Sequence, residues 1–243
     1  MSAIRLGTRA STLATTQSEM VARLLRSEGL DVDLTTITTH GDTSTASLAA
    51  MGGIGVFASA IRATLLKGEA DIAVHSFKDL PTGRPLGLAI GAVPARADPR
   101  DALVARDGLT LHDLPQEASV GTGSPRRAAQ LLAVRPDLTI VDIRGNVDTR
   151  LGRVKGLGHY AKGGGKEDLD AVVLAASGLA RLGHSGTVTE FLDPSVVLPA
   201  PAQGALAVEC RTADSRHGKL AKALARIDDR RTRLAATAER AVL

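Results

Sequence analysis

The sequence predicts an α/β protein built from two βα halves, and three observations support this. Short apolar runs of strand length alternate with segments whose apolar residues recur at helical spacing. The alternation restarts near residue 118, after a turn-like segment at 98–101. The length of 243 residues suits two domains, and 44% hydrophobic residues are enough for a core in each. Because strands joined by helices usually run parallel, we expect mostly parallel sheets.

Caps and stops mark the elements of the first half. Ser11 is a good N-cap for a helix that Gly29 ends, and a second helix at 56–67 stops at Gly68. The predicted strands are 4–8, 31–38, 71–75, 86–93 and 102–105.

The second half repeats the pattern from a strand at 119–121. Ser124 caps the next helix, and Pro125 occupies its first position, where proline is favoured. The other predicted elements are strands at 139–143, 169–175 and 205–209 and helices at 126–134, 146–154, 177–182, 214–227 and 230–243.

Composition narrows the classes of function. Net charge is +4, a mild excess that suits anionic small molecules or nucleic acid. With no Trp, one Tyr and three Phe, the chain lacks the stacking residues of single-stranded nucleic-acid binders. No apolar stretch approaches the roughly 18 residues of a membrane span, and no signal peptide is evident. The single cysteine, Cys210, fits a reducing cytoplasm, and we expect it to be a buried structural thiol. The histidines show no metal-ligand spacing, so no metal is expected.

Basic residues follow several predicted strands. They are Arg9, Lys78, Arg126, Arg127 and Arg144. In open α/β sheets, ligands bind beyond the carboxyl ends of the strands, where helix N-termini favour anions. Arginines in the first turn of a helix oppose its dipole, so an anionic ligand such as a carboxylate explains them best. The alternative is a set of solvated arginines.

One acid, Asp79, lies within this basic set. It follows Lys78 and the strand at 71–75, and as a lone carboxylate it would stay ionised and stabilise a cation developing in a substrate. A surface pair between Lys78 and Asp79 is the alternative. The residues alone therefore predict an anion-binding cleft between two domains with one candidate acid.

Six motifs carry a resemblance to a known family. They are His75–Pro81, Asp98–Ala102, Gly121–Arg127, Arg144–Leu151, Pro201–Ala205 and Thr237–Ala241. In this order and together, they resemble the porphobilinogen deaminase (hydroxymethylbilane synthase) family. The resemblance implies an enzyme that joins four porphobilinogen molecules head to tail, with loss of ammonia, into a linear tetrapyrrole. It also implies a cytoplasmic monomer that binds neither nucleic acid nor membrane.

The resemblance also implies roles for particular residues. Asp79 matches the catalytic aspartate, which holds pyrrole N–H groups and stabilises the cation left by ammonia loss. The positions that match binding of a dipyrromethane cofactor, substrate carboxylates or their support are Arg9, Ser11, Ser76, Lys78, Thr122, Ser124, Arg126, Arg127, Arg144, Gly145, Arg150, Arg181 and Gln203.

The fold implied by the resemblance is two periplasmic-binding-protein-like domains with an interdomain cleft, plus the start of a truncated third α+β domain. Domain 1 would comprise 1–102 and 204–222, domain 2 would comprise 106–198, and 228–243 would be the first helix of domain 3.

Two departures from the family pattern bear on activity. The loop before residue 56 carries two lysines in the family, where this sequence has Ala50 and Ile54. The cysteine that holds the dipyrromethane in the family would fall a few residues after 237–241, and Cys210 matches a different position. We therefore expect this chain by itself to be inactive. A non-catalytic polycarboxylate-binding protein on the same scaffold is the alternative function.

Overall fold

The computed structural model describes residues 3–37, 56–83 and 85–243. The chain divides into two compact units: unit 1 comprises Met1–Ala97 and Ala205–Leu243, and unit 2 comprises Asp98–Gly204. The chain thus leaves unit 1 once and returns to it once. The domain ranges derived from the resemblance, the third domain and the cleft stay predictions. Ala50 and Ile54 lie outside the described residues.

The described strands and helices follow one another in chain order. The strands are β1 (Ile4–Thr8), β2 (Val32–Thr36), β3 (Ile72–Ser76), β4 (Leu88–Ala92), β5 (Asp101–Ala105), β6 (Ser119–Gly121), β7 (Thr139–Val141), β8 (Ala171–Ala175), β9 (Glu190–Phe191) and β10 (Leu206–Arg211). The helices are α1 (Thr12–Ser27), α2 (Val56–Leu66), α3 (Pro125–Val134), α4 (Val147–Leu151), α5 (Ala176–Arg181), α6 (Gly218–Ile227) and α7 (Arg230–Arg240). Each described helix is too short or too polar to cross a membrane.

The sheet of unit 1 has the strand order β2-β1-β3-β10-β4 among the described strands. β1 runs parallel to β2 and β3, whereas β10 runs antiparallel to β3 and β4. Ser11 caps α1 as predicted, its hydroxyl accepting from the Ala14 N–H at 3.4 Å. One face of α1 buries Val21, Ala22 and Leu25 in the core beside the sheet. The cap therefore sets where α1 begins, and the apolar face sets which side of α1 packs on the sheet.

The sheet of unit 2 has the equivalent order β7-β6-β8-β5-β9. β6 runs parallel to β7 and β8, and β5 runs antiparallel to β8 and β9. β5 and most of β8 are buried on both faces, which explains their continuous apolar sequences. Ser124 and Pro125 begin α3 as predicted.

The expectation of mostly parallel sheets is wrong, because two of the four neighbour pairs in each sheet are antiparallel. The antiparallel strands are those nearest the two crossings of the chain. β5 begins unit 2 and β10 re-enters unit 1, so neither follows a helix that returns the chain in a parallel direction.

The helix predicted at 146–154 is shorter than expected. α4 covers only Val147–Leu151, with Asn146 as its N-cap accepting from the Thr149 N–H at 2.8 Å. The chain turns at Gly152, where a Cβ atom would lie 2.6 Å from the Cβ of Ala161. The predicted strands at 86–93 and 139–143 are likewise shorter in the structure, since local apolar runs extend past the paired residues.

Candidate active site

A buried acid organises the arginines of unit 2. Asp101, at the start of β5, is fully buried. Its Oδ1 accepts from Arg127 Nε at 3.0 Å, Arg127 Nη2 at 2.7 Å and Gln203 Nε2 at 2.8 Å. Its Oδ2 accepts from Arg126 Nη2 at 2.7 Å. Burial opposes ionisation of Asp101, but the Arg127 and Arg126 guanidinium groups outweigh it and lower its pKa.

Asp101 changes the interpretation of the two arginines. Sequence reasoning assigned Arg126 and Arg127 to an anionic ligand, but the structure supplies an anion from the protein itself. Arg127 is buried, and its Nη1 donates to the Val173 carbonyl at 3.0 Å, so its donors are engaged. Arg126 is more exposed and also donates to the Leu198 carbonyl. Sequence reasoning included Asp101 in the motif Asp98–Ala102 and in a turn, but gave it no role, because its partners are distant in sequence.

Two other guanidinium groups in unit 2 have no carboxylate partner among the described residues. Arg150 donates from Nε to the Gly145 carbonyl at 2.9 Å. Burial, together with Arg127 and Arg144, lowers its pKa, although Asp142 partly offsets this. Arg181 donates from Nη2 to the Gly204 carbonyl at 2.7 Å, and burial lowers its pKa to about 10.

The Nε atom of Arg181 is buried and has no hydrogen-bond partner among the described residues. A buried donor on a desolvated cation is costly unless an acceptor meets it. Arg150 and Arg181 are therefore the guanidinium groups in the described part of unit 2 that are best suited to receive an external carboxylate.

The remaining predicted residues of unit 2 shape this region. Thr122 is buried, and its hydroxyl accepts from the Ser124 N–H at 3.2 Å. Gln203 is also buried and donates to the Pro99 carbonyl at 2.7 Å as well as to Asp101. Gly145 lies between Arg144 and the N-cap of α4, and its φ of 100° is one that glycine adopts without strain. Arg144 is exposed.

Asp79 lies in unit 1, in the 3₁₀ turn Phe77–Asp79 that directly follows β3. It is exposed, and no hydrogen bond joins its carboxylate to a described residue. Lys78 beside it is half-buried. Because β1 and β3 are parallel neighbours, Arg9 and the turn follow the same edge of the sheet.

Two predicted serines support this edge of the sheet. Ser76 exchanges hydrogen bonds with the Gln17 amide at 3.0 and 3.3 Å, and Ser11 caps α1. The structure thus brings Arg9, Ser11, Ser76, Lys78 and Asp79 together at one sheet edge of unit 1. The other predicted residues belong to unit 2.

A buried ion cluster next to β3 was not found by sequence reasoning. Glu209 on β10 is fully buried, with Arg62 Nε 3.1 Å from both carboxylate oxygens and His75 Nε2 3.3 Å from Oε2. Burial favours the neutral form of Glu209, but His75 and Arg62 together lower its pKa. The only signal in the sequence was an acid inside the apolar strand 205–209.

Cys210 follows Glu209 on β10 and is fully buried. Burial raises the pKa of its thiol to about 11, so the reactive thiolate is scarce at neutral pH. Among the described residues, no group of three or more His, Cys, Asp or Glu is placed to hold a metal ion.

Comparison with known proteins connects these features. The family model described as "Porphobilinogen deaminase, dipyromethane cofactor binding domain" matches residues 4–219. A porphobilinogen deaminase from Cutibacterium acnes is 97% identical over all 243 residues, which cover 73% of that relative. The chain belongs to the porphobilinogen deaminase family. A second porphobilinogen deaminase, from Micrococcus luteus, is 56% identical, with 100% of this chain and 70% of that relative covered.

Solved structures that resemble this porphobilinogen deaminase family member show its fold, at low sequence identity. A periplasmic substrate-binding protein of an ABC transporter from Coxiella burnetii has a TM-score of 0.54 at 16% identity, covering 97% of this chain and 96% of that chain. A nutrient-binding protein from Burkholderia cenocepacia, solved bound to methionine, has a TM-score of 0.52 at 16% identity, covering 91% of each chain. The periplasmic-binding-protein-like fold expected from the sequence is confirmed.

Porphobilinogen deaminases are transferases, and the matching domain is the one that binds dipyrromethane. The residues present fit this cofactor. The unpartnered Nε of Arg181 and the guanidinium of Arg150, which forms no ion pair with a described carboxylate, are donors suited to carboxylates on a pyrrole cofactor.

Proposed function

We propose that the chain acts as a hydroxymethylbilane synthase, which condenses four porphobilinogen molecules head to tail with loss of ammonia. Membership of the family supports this, and the observation that carries it is Asp79. Its carboxylate is exposed beyond the carboxyl end of β3 and is joined to no described residue, so it is available to a substrate.

The arginines bind the acetate and propionate groups that each pyrrole carries. Arg150 and Arg181 take carboxylates most directly, since neither has an acid partner among the described residues, and Arg126 offers its exposed side. Arg127 acts indirectly, holding Asp101 and thereby Arg126. The supporting set is Arg9, Ser11, Ser76, Lys78, Thr122, Ser124, Arg144, Gly145 and Gln203.

Asp79 acts on the substrate. The amine of the porphobilinogen aminomethyl group, already protonated at neutral pH, leaves as ammonia. The C–N bond breaks with its electron pair on nitrogen, and the positive charge stays on the pyrrole. An ionised carboxylate stabilises that cation and accepts from the pyrrole N–H. A C–C bond then forms to the free α-carbon of the acceptor pyrrole, which loses its proton. When bound, dipyrromethane supplies the first acceptor, and Arg126, Arg150 and Arg181 are the residues that would hold its carboxylates.

The test uses a hybrid that joins these 243 residues to the part of the Cutibacterium acnes relative that the match leaves uncovered. We expect the hybrid to release ammonia and form hydroxymethylbilane, with Ehrlich's reagent and intact mass showing a two-pyrrole adduct. Asp79→Asn should lower turnover about 100- to 1,000-fold. Asp33→Asn, an exposed acid on β2, is the matched control.

The outcomes of this test distinguish catalysis by Asp79 from the binding-only alternative. Unchanged turnover in the Asp79→Asn hybrid would overturn the role of Asp79. Tight binding of porphobilinogen by the hybrid without ammonia release would favour the non-catalytic polycarboxylate-binding alternative. The inactivity of the 243-residue chain alone stays a prediction, and steady formation of hydroxymethylbilane by that chain would contradict it.

We also propose that the protein works as a monomer in the cytoplasm. Its single cysteine, Cys210, supports the reducing compartment, because it forms no disulfide within the chain. The monomeric state rests on the family resemblance. Light scattering of the purified hybrid should give the mass of one chain, and a dimer mass would contradict the proposal.

A further inference from the structure

Arg240, at the end of α7, contacts the turn that carries Asp79. Its Nη1 donates to the carbonyls of Phe77 and Leu80, both at 2.9 Å, and its Nη2 donates to the Pro81 carbonyl at 2.7 Å. Its guanidinium carbon also lies 4.6 Å from the centre of the Phe77 ring. One side chain therefore meets three carbonyls and a ring within five consecutive residues.

The guanidinium of Arg240 lies where its positive charge is disfavoured. Arg240 has no carboxylate partner among the described residues, and both burial and the nearby Arg62 lower its pKa. Its neighbour Glu239 pairs with Arg96 through bonds of 2.5 and 2.8 Å, which joins the same turn of α7 to the irregular segment that follows β4. The end of α7 is thus anchored on two sides, with Arg240 directed at the turn.

Two backbone hydrogen bonds also hold the turn, and the side chains of Phe77 and Leu80 are buried. The Phe77 N–H donates to the Ala205 carbonyl at 3.0 Å, and the Leu80 N–H closes the turn on Phe77 at 3.3 Å. Since no bond joins the Asp79 carboxylate to a described residue, the backbone of the turn sets the position of that carboxylate. Removing Arg240 would leave three carbonyls without this donor.

We propose that Arg240 is a positioning residue for Asp79, acting through the backbone of residues 77–81. This proposal rests on the proposed function of Asp79 for its catalytic consequence, but the anchoring itself does not. An arginine suits the task, because its planar fork reaches several carbonyls at once and stacks on an aromatic face. A lysine would keep the charge and lose the fork.

Hydrogen exchange of the 243-residue chain, followed by mass spectrometry, tests the anchoring. In Arg240→Gln we expect amides 77–80 to exchange about tenfold faster, with the rest of unit 1 unchanged. Arg240→Lys should be intermediate. Arg216→Gln is the matched control. Arg240 and Arg216 both line a cavity of about 630 Å³ in unit 1, but Arg216 is exposed. Normal exchange at 77–80, or uniformly faster exchange through unit 1, would overturn the proposal.

Kinetics of the hybrid tests the consequence for catalysis. Arg240→Gln should lower kcat about 10- to 100-fold with KM little changed, because a displaced Asp79 affects chemistry more than carboxylate binding. Arg240→Lys should restore part of kcat. Local loosening with unchanged kcat would overturn positioning for catalysis, whereas a failure of Asp79→Asn to lower turnover would mark failure of the proposed function instead.

Discussion

Arg127 and Arg181 show two opposite uses of a buried guanidinium in unit 2. Arg127 meets a buried acid, Asp101, and its donors are engaged within the protein. Arg181 is half-buried, with one carbonyl partner and a buried Nε that no described group meets. The first is a structural ion pair, and we propose that the second binds a ligand, so their substitutions should affect different measurements.

Arg181→Gln should weaken binding more than folding. We expect porphobilinogen affinity to fall about tenfold or more, since charge-assisted hydrogen bonds are lost, while the free energy of unfolding changes by about 1 kcal/mol or less. Calorimetry and urea unfolding measure the two effects. Arg226→Gln, an exposed arginine of unit 1, controls for the change in net charge.

Asp101→Asn supplies the contrast for the same prediction. It removes the charge that Arg126 and Arg127 share, and leaving buried cations unpaired costs about 3–5 kcal/mol of unfolding free energy. Equal losses of stability in Arg181→Gln and Asp101→Asn would contradict the distinction.

At the scale of elements, the start of α4 depends on Gly145. Its φ is 100°, and a Cβ atom there would lie 2.9 Å from the Cβ and Cγ2 of Thr149. Asn146, the N-cap, bonds to both the N–H and the hydroxyl of Thr149, so this side chain has little room to move. The same turn places Arg150 one residue further along α4.

The backbone strain of Gly145→Ala should cost about 1–3 kcal/mol of unfolding free energy, and the contact with Thr149 should add to that cost. Gly183→Ala is the matched control, because Gly183 has a similar φ of 78° with nothing within 4 Å of the added Cβ. Thermal or urea unfolding of both variants gives the comparison. Equal costs would show that contact with Thr149 is unimportant.

Signals between residues that are close in sequence predicted the elements. The features that the sequence did not predict depend on partners that are distant in sequence. The caps Ser11 and Ser124 fixed two helix starts, because a cap and its helix are adjacent in sequence. The antiparallel placement of β10 depends on β3 and β4, which precede it by a whole unit. Position at strand ends gave Asp79, Arg126 and Arg127, and the family resemblance added Arg150 and Arg181. Neither signal revealed that Asp101 pairs with Arg126 and Arg127.

For the whole molecule, paired acids predict how stability depends on pH. Burial would raise the pKa of Asp71, but Arg5 and Arg211 lower it to about 2, and the pKa values of Asp101 and Glu209 are also lowered. A carboxyl whose folded pKa lies below its unfolded value stabilises the fold above the unfolded pKa. That stability is lost as pH falls toward the folded pKa.

The free energy of unfolding should therefore hold steady above about pH 5 and fall between about pH 4 and pH 2. Urea titrations at stepped pH measure it, and Asp71→Asn should flatten part of the slope. Asp33→Asn, an exposed acid on β2, is the control. A stability that is level from pH 5 to pH 2.5 would contradict the prediction.

The place of β10 in its sheet has a consequence for the order in which the chain is completed on the ribosome. β10 lies between β3 and β4, yet it is translated after every strand of unit 2. While residues 98–204 emerge, β3 and β4 lack the strand that pairs with both of them, and they do not pair with each other. The later-made unit is thus the first whose strands are all present, and the earlier-made one waits for the returning chain.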